Sequence, residues 1–216
     1  MVSVLRGHPP RRARVPGRRP PGATIFGSGH RGVNRPGPSV GAGWLDRPMD
    51  EDEVLDVVDA HDEVTGRAPR GEVYRDRLLH RCAAVLVTDG QGRIFVHRRT
   101  ATKLIHPGLY DMFVGGVVGA GEGYAAAAWR EAREELGAPG LPEPEPVLRF
   151  LFEGEGGSWW TSVHRVRWDG PVRPQPSEVA WHAFLTPEEL ADRLDTWQWA
   201  PDGLAAWLRL SASPGR

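Results

Sequence analysis

A glycine-rich segment that runs directly into an acidic helix constrains this chain more than any other feature. Residues 115–123 read Gly-Gly-Val-Val-Gly-Ala-Gly-Glu-Gly, and residues 124–136 form a helical pattern closed by Gly137 and Pro139. Because glycine has no Cβ, such a loop can turn sharply and lie close to a ligand or ion. We therefore expect a glycine-rich loop that leads directly into this helix and can contact a bound ligand or ion.

The acidic residues of this helix fall on one side of it. At about 100° per residue, Glu131, Glu134 and Glu135 share one arc. Carboxylates spaced in this way repel one another and weaken a helix, whereas clustered oxygen donors suit a hard cation such as Mg²⁺ or Mn²⁺. The alternative is a solvated acidic face on which Arg130 and Arg133 reduce the repulsion.

The other side of the helix is apolar and is predicted to pack inward. It carries Ala125, Trp129, Ala132 and Leu136. Glu122, near the start of the helix, is expected to cap the helix or to pair with an arginine.

The 216-residue chain carries 27 basic and 28 acidic side chains, but they are unevenly spread. Residues 1–47 hold nine arginines and one acidic residue, which leaves 18 basic and 27 acidic side chains, or −9, for residues 48–216. A surface this acidic repels phosphate backbones, so we expect no nucleic-acid partner, and a phosphate ligand would need divalent cations as a bridge. No apolar run is long enough to span a membrane, and the single cysteine, Cys82, cannot form an intrachain disulfide.

Residues 1–47 are rich in glycine, proline and arginine and show no apolar periodicity. Such a segment buries too little surface to offset its ordering entropy, so we predict disorder, with a basic tail that touches nucleic acid or a membrane as the alternative. Its paired arginines are not followed by an apolar stretch, which disfavours a secretion signal and favours a cytoplasmic protein. We expect the working protein to begin near Met49 and one domain to cover residues 48–216.

The rest of the chain intersperses predicted strands and helices, which indicates a mixed α/β fold. Strands are predicted at residues 54–59, 82–88, 93–98, 147–153, 159–168 and 179–185. Helices are predicted at residues 72–79, 124–136, 187–194 and 201–210, and Thr186 is the expected N-cap of the third. Residues 62–66 are predicted to form a turn.

Residues 116–138 match the Nudix box in full. The pattern is Gly, five residues, Glu, seven residues, Arg-Glu, an apolar residue, any residue, Glu-Glu, any residue, Gly and an apolar residue. The matching residues are Gly116, Glu122, Arg130, Glu131, Ala132, Glu134, Glu135, Gly137 and Ala138. The chain therefore resembles the Nudix hydrolases over about residues 54–210. The resemblance implies an α/β/α sandwich with a mixed sheet, in which the box forms a metal-binding loop–helix–loop.

The resemblance also implies roles for individual residues. Glu131, Glu134 and Glu135 would bind Mg²⁺ or Mn²⁺ with the Gly116 carbonyl nearby. Arg130 would orient the carboxylates, and it joins Glu131 and Glu134 in the expected catalytic set. The general base is left open. The metal would neutralise charge, position the diphosphate and activate the attacking water.

Four residues outside the box are candidates for further contacts. Glu178 matches a carboxylate that contributes to metal binding in the family, although it could equally be a surface residue before a strand. Arg98, Arg99 and Lys103 could bind the substrate phosphates, or they could be solvated. 

Aromatic residues outside the box are expected to be core residues. For His80 the alternative is metal binding, and for the tryptophans it is stacking on the substrate. The tryptophans concerned are Trp159, Trp160, Trp168 and Trp181.

Segments that flank the box resemble the isopentenyl-diphosphate isomerase-like branch of the family. They cover residues 80–84, 98–103, 107–111, 177–181 and 185–190. The isomerase has Cys-Gly-His just before the box, where this chain has Val114, Gly115 and Gly116, and valine cannot exchange a proton. Cys82 is expected to be an inert core thiol. These departures from the isomerase pattern therefore predict a hydrolase of this branch rather than an isomerase.

Together these observations predict a divalent-metal-dependent hydrolase that cleaves a diphosphate linkage in a nucleoside-diphosphate-X or related compound. The alternatives are an isopentenyl-diphosphate isomerase and a non-catalytic, nucleotide-binding regulator. The expected partner is a small-molecule diphosphate rather than a membrane or nucleic acid, and a homodimer is left open.

Overall fold

A computed structural model describes residues 51–212 of the chain, so the predictions made for residues 1–47 lie outside the described part. The strands are β1 (Val54–Val58), β2 (Val64–Pro69), β3 (Arg81–Thr88), β4 (Ile94–Arg99), β5 (Tyr110–Asp111), β6 (Val114–Val117), β7 (Glu145–Gly154), β8 (Gly157–Arg167) and β9 (Val179–Leu185). The helices are α1 (Arg70–Arg75), α2 (Tyr124–Leu136), α3 (Pro187–Leu194) and α4 (Pro201–Ala212). Within residues 51–212, no helix has the length and apolar character needed to cross a membrane.

Two sheets organise these elements. β1 and β2 form an antiparallel pair, and the other seven strands form one sheet with the central path β5-β4-β3-β8-β7. β6 also pairs with β3, and β9 pairs with β4. Because β3 and β8 run parallel while β3 and β6 run antiparallel, the sheet is mixed, as the sequence predicts.

Helices cover both faces of the large sheet. On one face, α2 packs on β3 through a cluster that includes Ala83, Val85, Ala128, Ala132 and Leu136. On the other face, α3 and α4 pack through a cluster that includes Val96, Val163, Leu190 and Ala206. The fold is therefore an α/β/α sandwich with a mixed sheet, and the predicted fold class is confirmed.

The predicted turn at residues 62–66 is wrong in its second half, because β2 already begins at Val64. The residues of this stretch have a low strand propensity. Pairing with β1, in which Val57 lies opposite Gly66, keeps them in an extended conformation. The helix predicted at residues 72–79 begins and ends earlier, as α1. It stops before Arg77, whose φ of 54° is incompatible with a continuing right-handed helix.

The inward-facing side of α2 also differs from the prediction. Trp129 is 38% exposed, and its indole Nε1 donates to the carbonyl of Leu141 at the edge of the helix. Ala125 is exposed as well, whereas Glu135 is buried beside Ala128 and Ala132. Glu135 can be buried because α2 lies against the glycines of β6, which leave space for its carboxylate on the side that faces the sheet.

Candidate active site

A cleft of about 740 Å³ opens beside the acidic side of α2. Its walls come from β6, from the first residues of β3, from residues 103–106 after β4 and from the first turn of α4. The three helix glutamates named above, Glu131, Glu134 and Glu135, all line it. The fold thus gathers these carboxylates at a concave surface, where a small ligand can bind.

Two glycines of β6 permit close approaches that a side chain would block, Gly115 to the backbone of β3 and Gly116 to Glu131. At Gly115 the φ is +153°, and a Cβ would lie 2.0 Å from the carbonyl oxygen of Ala83. At Gly116 a Cβ would lie 2.7 Å from Cδ of Glu131. The backbone N–H of Gly115 donates to Oε2 of Glu135 at 3.0 Å. The glycine-rich segment therefore shapes the wall against which two of the carboxylates rest.

Arg130 holds the Glu131 carboxylate in place. Its Nη1 lies 2.5 Å from Oε1 of Glu131, and its Nη2 lies 2.8 Å from Oε2 of Glu122. Burial raises the pKa of Glu131 to about 7, and the negative charges of Glu135 and Glu134 add to the rise while Arg130 opposes it. The predicted arginine partner of Glu122 is confirmed, and Arg130 takes the position of a residue that orients a carboxylate.

Glu134 is the most open of the three glutamates, with 37% of its side chain exposed. Its Oε2 lies 3.9 Å from Nη1 of Arg130, which is too far for a hydrogen bond. Glu134 is therefore free to contact a ligand or an ion in the cleft without first losing a strong partner.

Lys103 forms the second cationic contact of the acidic wall. Its Nζ lies 3.7 Å from Oε1 of Glu135 and in direct contact with Oε2 of Glu178. Burial lowers the pKa of the Lys103 ammonium, and Glu135 opposes that change. Two loops, one after β4 and one before β9, thus place Lys103 beside Glu135 and Glu178 beside Lys103.

The two neighbouring arginines point in different directions. Arg99 lines the cleft, and its Nε and Nη2 donate to the carbonyl of Ile105 at 3.2 and 3.0 Å. Arg98 is exposed, donates to the carbonyl of Gly108 at 2.9 Å and does not line the cleft. Successive residues of a strand face opposite sides of the sheet, so only one of the pair can reach this site.

The lining of the cleft includes Asp111 and Asp202, which the sequence analysis did not single out. Asp111 of β5 is buried, and its carboxylate accepts from the backbone N–H of Phe113 at 2.9 Å. Burial raises the pKa of Asp111, and the negative charge of Asp202 in α4 adds to the rise. These residues lie far apart in sequence, so no motif could join them, although Asp111 does fall in a flanking segment that resembles the family branch.

The predicted core position is wrong for Trp181, which is 40% exposed, whereas His80 and Trp159 are buried as predicted. His80 is 3% exposed, and its Nδ1 lies 3.0 Å from the carbonyl of Leu78. Burial raises the pKa of the Cys82 thiol well above its usual range, which keeps it protonated and inert. Trp159 is buried but also lines the cleft, whereas Trp181 is 40% exposed on the outer surface.

The oxygen donors of the acidic wall fit a hard divalent cation in their chemistry. Three carboxylates on one wall, one of them with a raised pKa, create a repulsion that a bound cation would relieve. Over residues 51–212, however, no three acidic, histidine or cysteine side chains converge closely enough to hold a metal ion. The cations of Arg130 and Lys103 contact Glu131 and Glu135 instead, so metal binding requires those contacts to rearrange.

Comparisons with known proteins agree with this fold. A family model described as the NUDIX domain matches residues 78–208. A Nudix hydrolase of Streptomyces coelicolor, named as uncharacterised, is 58% identical over 165 residues, covering 76% of this chain and 91% of that protein. The Nudix hydrolase YfcD of Escherichia coli K12, also named as uncharacterised, is 38% identical over 169 residues, covering 77% and 92%. The crystal structure of the Deinococcus radiodurans protein DR0079 matches with a TM-score of 0.62 and 29% identity, covering 74% of this chain and all of that one.

Proposed function

Because the chain belongs to the Nudix family and is a Nudix hydrolase, we propose that it cleaves the diphosphate linkage of a small molecule with a divalent cation bound at α2. Mg²⁺ or Mn²⁺ is the proposed ion, held by Glu131, Glu134 and Glu135 with Glu178 and the Gly116 carbonyl nearby. The observation that carries the proposal is the packing of the α2 glutamates against the glycines of β6 inside a cleft.

The bound cation would neutralise the diphosphate charge and lower the pKa of the attacking water. Arg130 and Glu134 have separate proposed roles. Arg130 is fixed by Glu122 on one side, and it orients the Glu131 carboxylate on the other. Glu134, whose Oε2 lies 3.9 Å from Nη1 of Arg130, is available to contact the water or the ion and to take up a proton.

Lys103 and Arg99 are the proposed phosphate contacts. If Glu135 and Glu178 were to hold a cation, the Lys103 ammonium would lose its present partners and could bind a phosphate oxygen instead. Arg99 also lines the cleft, and its guanidinium can donate to a substrate phosphate in place of the carbonyl of Ile105. Arg98 lies outside the cleft, so we leave it out of this role.

The chain is further proposed to be a hydrolytic member of the isopentenyl-diphosphate isomerase-like branch. Val114 stands where the isomerase has its cysteine, and it is 1% exposed in an apolar cluster. An aliphatic side chain cannot protonate or deprotonate a substrate carbon. The same site therefore supports water attack on phosphorus and not double-bond migration, and the complete set of box carboxylates argues against a regulator that only binds nucleotides.

The test is hydrolysis of a panel of nucleoside diphosphates, nucleoside-diphosphate sugars, dinucleotides and prenyl diphosphates with Mg²⁺ or Mn²⁺. Wild-type protein should release phosphate or a monophosphate from at least one compound. Glu134→Gln should lower kcat by roughly a hundredfold or more while remaining folded by circular dichroism. Glu153→Gln, on the exposed side of β7, is the matched control and should keep full activity. Equal activity in Glu134→Gln and wild type would refute the assigned site.

A further inference from the structure

The part of the glycine-rich loop that enters α2 is held by the first strand of the chain. Residues 119–123 contain three glycines, and such a segment has many accessible conformations unless other parts of the chain fix it. In β1, Leu55 forms an isolated bridge with Gly119, and the carbonyl of Val54 accepts from the backbone N–H of Ala120 at 2.9 Å. The loop therefore depends for its shape on an element that is distant from it in sequence.

Asp56 adds a side-chain contact to the same loop. Only 5% of Asp56 is exposed, and its two carboxylate oxygens have different partners. Oδ2 accepts from the backbone N–H of Gly121 at 2.8 Å, and Oδ1 accepts from Nε of Arg67 at 2.9 Å. Gly121 has a φ of +76°, a conformation that residues with a side chain rarely adopt. Asp56 thus holds the loop at a residue whose backbone has more freedom than most.

Glu122 connects the loop to the carboxylates of α2. Its Oε2 accepts from the backbone N–H of Gly119 at 3.1 Å. Its two carboxylate oxygens also accept from Nε and Nη2 of Arg130, at 3.0 and 2.8 Å. Arg130 in turn donates from Nη1 to Oε1 of Glu131. A shift of the loop therefore moves the residue that orients the Glu131 carboxylate.

We propose that Asp56 is a positioning residue, which fixes the glycine-rich loop from the hairpin formed by β1 and β2. Through this loop and Arg130 it keeps the Glu131 carboxylate in place. Asp56 does not line the cleft, so it acts through the loop and not on a ligand. The hairpin precedes residues 78–208, the part of the chain that the family model matches, so this support is an addition to the matched domain. The effect on hydrolysis rests on the proposed function, whereas the effect on the loop does not.

Asp59 provides a matched control in the same hairpin. Its Oδ1 accepts from the backbone N–H groups of His61 and Glu63, at 2.8 and 3.0 Å, and so stabilises the turn between β1 and β2. Asp56→Ala and Asp59→Ala each remove two hydrogen bonds, so each should lower the melting temperature by roughly 2–8 °C. If Asp56 contributed to stability alone, the two variants would behave alike in every other measurement.

Amide hydrogen exchange of the full chain tests the loop without any substrate. After correction for intrinsic rates, the Gly121 amide of the wild type should exchange at least about tenfold more slowly than that of Gly123, for which residues 51–212 offer no hydrogen-bond partner. Asp56→Ala should accelerate exchange at Gly121 by roughly 10- to 100-fold, as expected for the loss of a hydrogen bond to a charged group. Asp59→Ala should change it by less than about threefold. Equal exchange at the two glycines of the wild type, or unchanged exchange in Asp56→Ala, would overturn the proposal.

Kinetics test the link from the loop to the site, with a substrate found in the panel above. Asp56→Ala should lower kcat by roughly 10- to 100-fold and change KM by less than about threefold, because it displaces a catalytic group without touching the substrate. Asp56→Asn should recover most of this loss. Its amide oxygen can still accept from Gly121, while Arg67, whose side chain is 62% exposed, can turn to solvent.

Asp59→Ala should keep kcat within about twofold of the wild type, because its contacts stay within the turn. An equal loss of kcat in the two alanine variants would show that only stability is affected, and it would refute the positioning role.

The two proposals fail in different ways. If exchange at Gly121 depends on Asp56 but the wild type hydrolyses no diphosphate with any metal, the loop contact stands and the proposed function falls. If the wild type hydrolyses a diphosphate and Asp56→Ala does so with the same kcat, the function stands and the positioning role falls.

Discussion

Two adjacent glycines of β6 differ in what a side chain would meet. At Gly116 a Cβ would contact the movable end of Glu131, at 2.7 Å from Cδ. At Gly115 it would lie 2.0 Å from a backbone carbonyl oxygen, with a φ of +153° that side chains rarely adopt. Gly116 is therefore needed for the position of Glu131 in the site, whereas Gly115 is needed for the packing of β6 against β3.

Gly116→Ala should accordingly lower activity more than stability. The new methyl group pushes the Glu131 carboxylate away from β6, and a displacement of about 1 Å at a catalytic group costs on the order of a hundredfold in kcat. The melting temperature should change by only a few degrees, whereas Gly115→Ala should fail to fold. Gly66→Ala is the control, because nothing lies within 4 Å of a Cβ there. A fully active Gly116→Ala enzyme would show that the position of Glu131 does not matter.

Among the elements, sequence and structure agree most closely at the ends of α2 and α3. α2 spans the predicted residues and ends at Gly137, whose φ of 57° is left-handed. α3 also spans the predicted residues and begins at the predicted cap, Thr186. Such signals are local, since a cap or a left-handed glycine acts within one turn of its own position, and this is why a single sequence suffices to predict them.

The cap of α3 yields a prediction about stability alone. The Thr186 hydroxyl accepts from the N–H of Glu189 at 3.2 Å, and the Glu189 carboxylate accepts from the N–H of Thr186 at 2.9 Å. Thr186→Ala should therefore cost about 1 kcal/mol in the free energy of unfolding, measured with urea. Hydrolysis should be unchanged because neither residue lines the cleft. A loss of activity at full stability would mean that α3 affects the site by another route.

Features that depend on distant packing could not be predicted from the sequence. The exposure of Trp129 follows from what α2 packs against, which helical periodicity does not reveal. The meeting of Asp111 with Asp202 requires α4 to dock beside β5, across a separation of ninety residues. By contrast, the split between Arg98 and Arg99 follows from strand alternation, which a stricter use of the sequence would have predicted.

For the whole molecule, residues 51–53 belong with the elements that build the site. The backbone N–H of Arg70 donates to the carbonyl of Glu53 at 2.8 Å, and that of Gly71 donates to the carbonyl of Glu51 at 3.0 Å. The side chains of Glu53 and Arg70 also pair at 3.2 Å, and both line the cleft. Residues 51–53 thus join the first strands to the site, while all the candidate site residues lie after them.

A chain of residues 49–216 should therefore match the full chain in melting temperature and in kcat/KM, as expected if residues 1–47 neither fold with the domain nor enter the site.

A chain of residues 54–216 should have a lower melting temperature than the full chain. That deletion removes two backbone hydrogen bonds and a half-buried ion pair, which together contribute roughly 1–3 kcal/mol and correspond to a fall of roughly 3–8 °C in melting temperature for a chain of this size. Its KM should rise as well, because Arg70 loses the partner that holds it at the cleft. A loss of activity in the chain of residues 49–216 would assign residues 1–48 a part in catalysis. Unchanged stability and activity in the chain of residues 54–216 would show that Glu51 and Glu53 are dispensable.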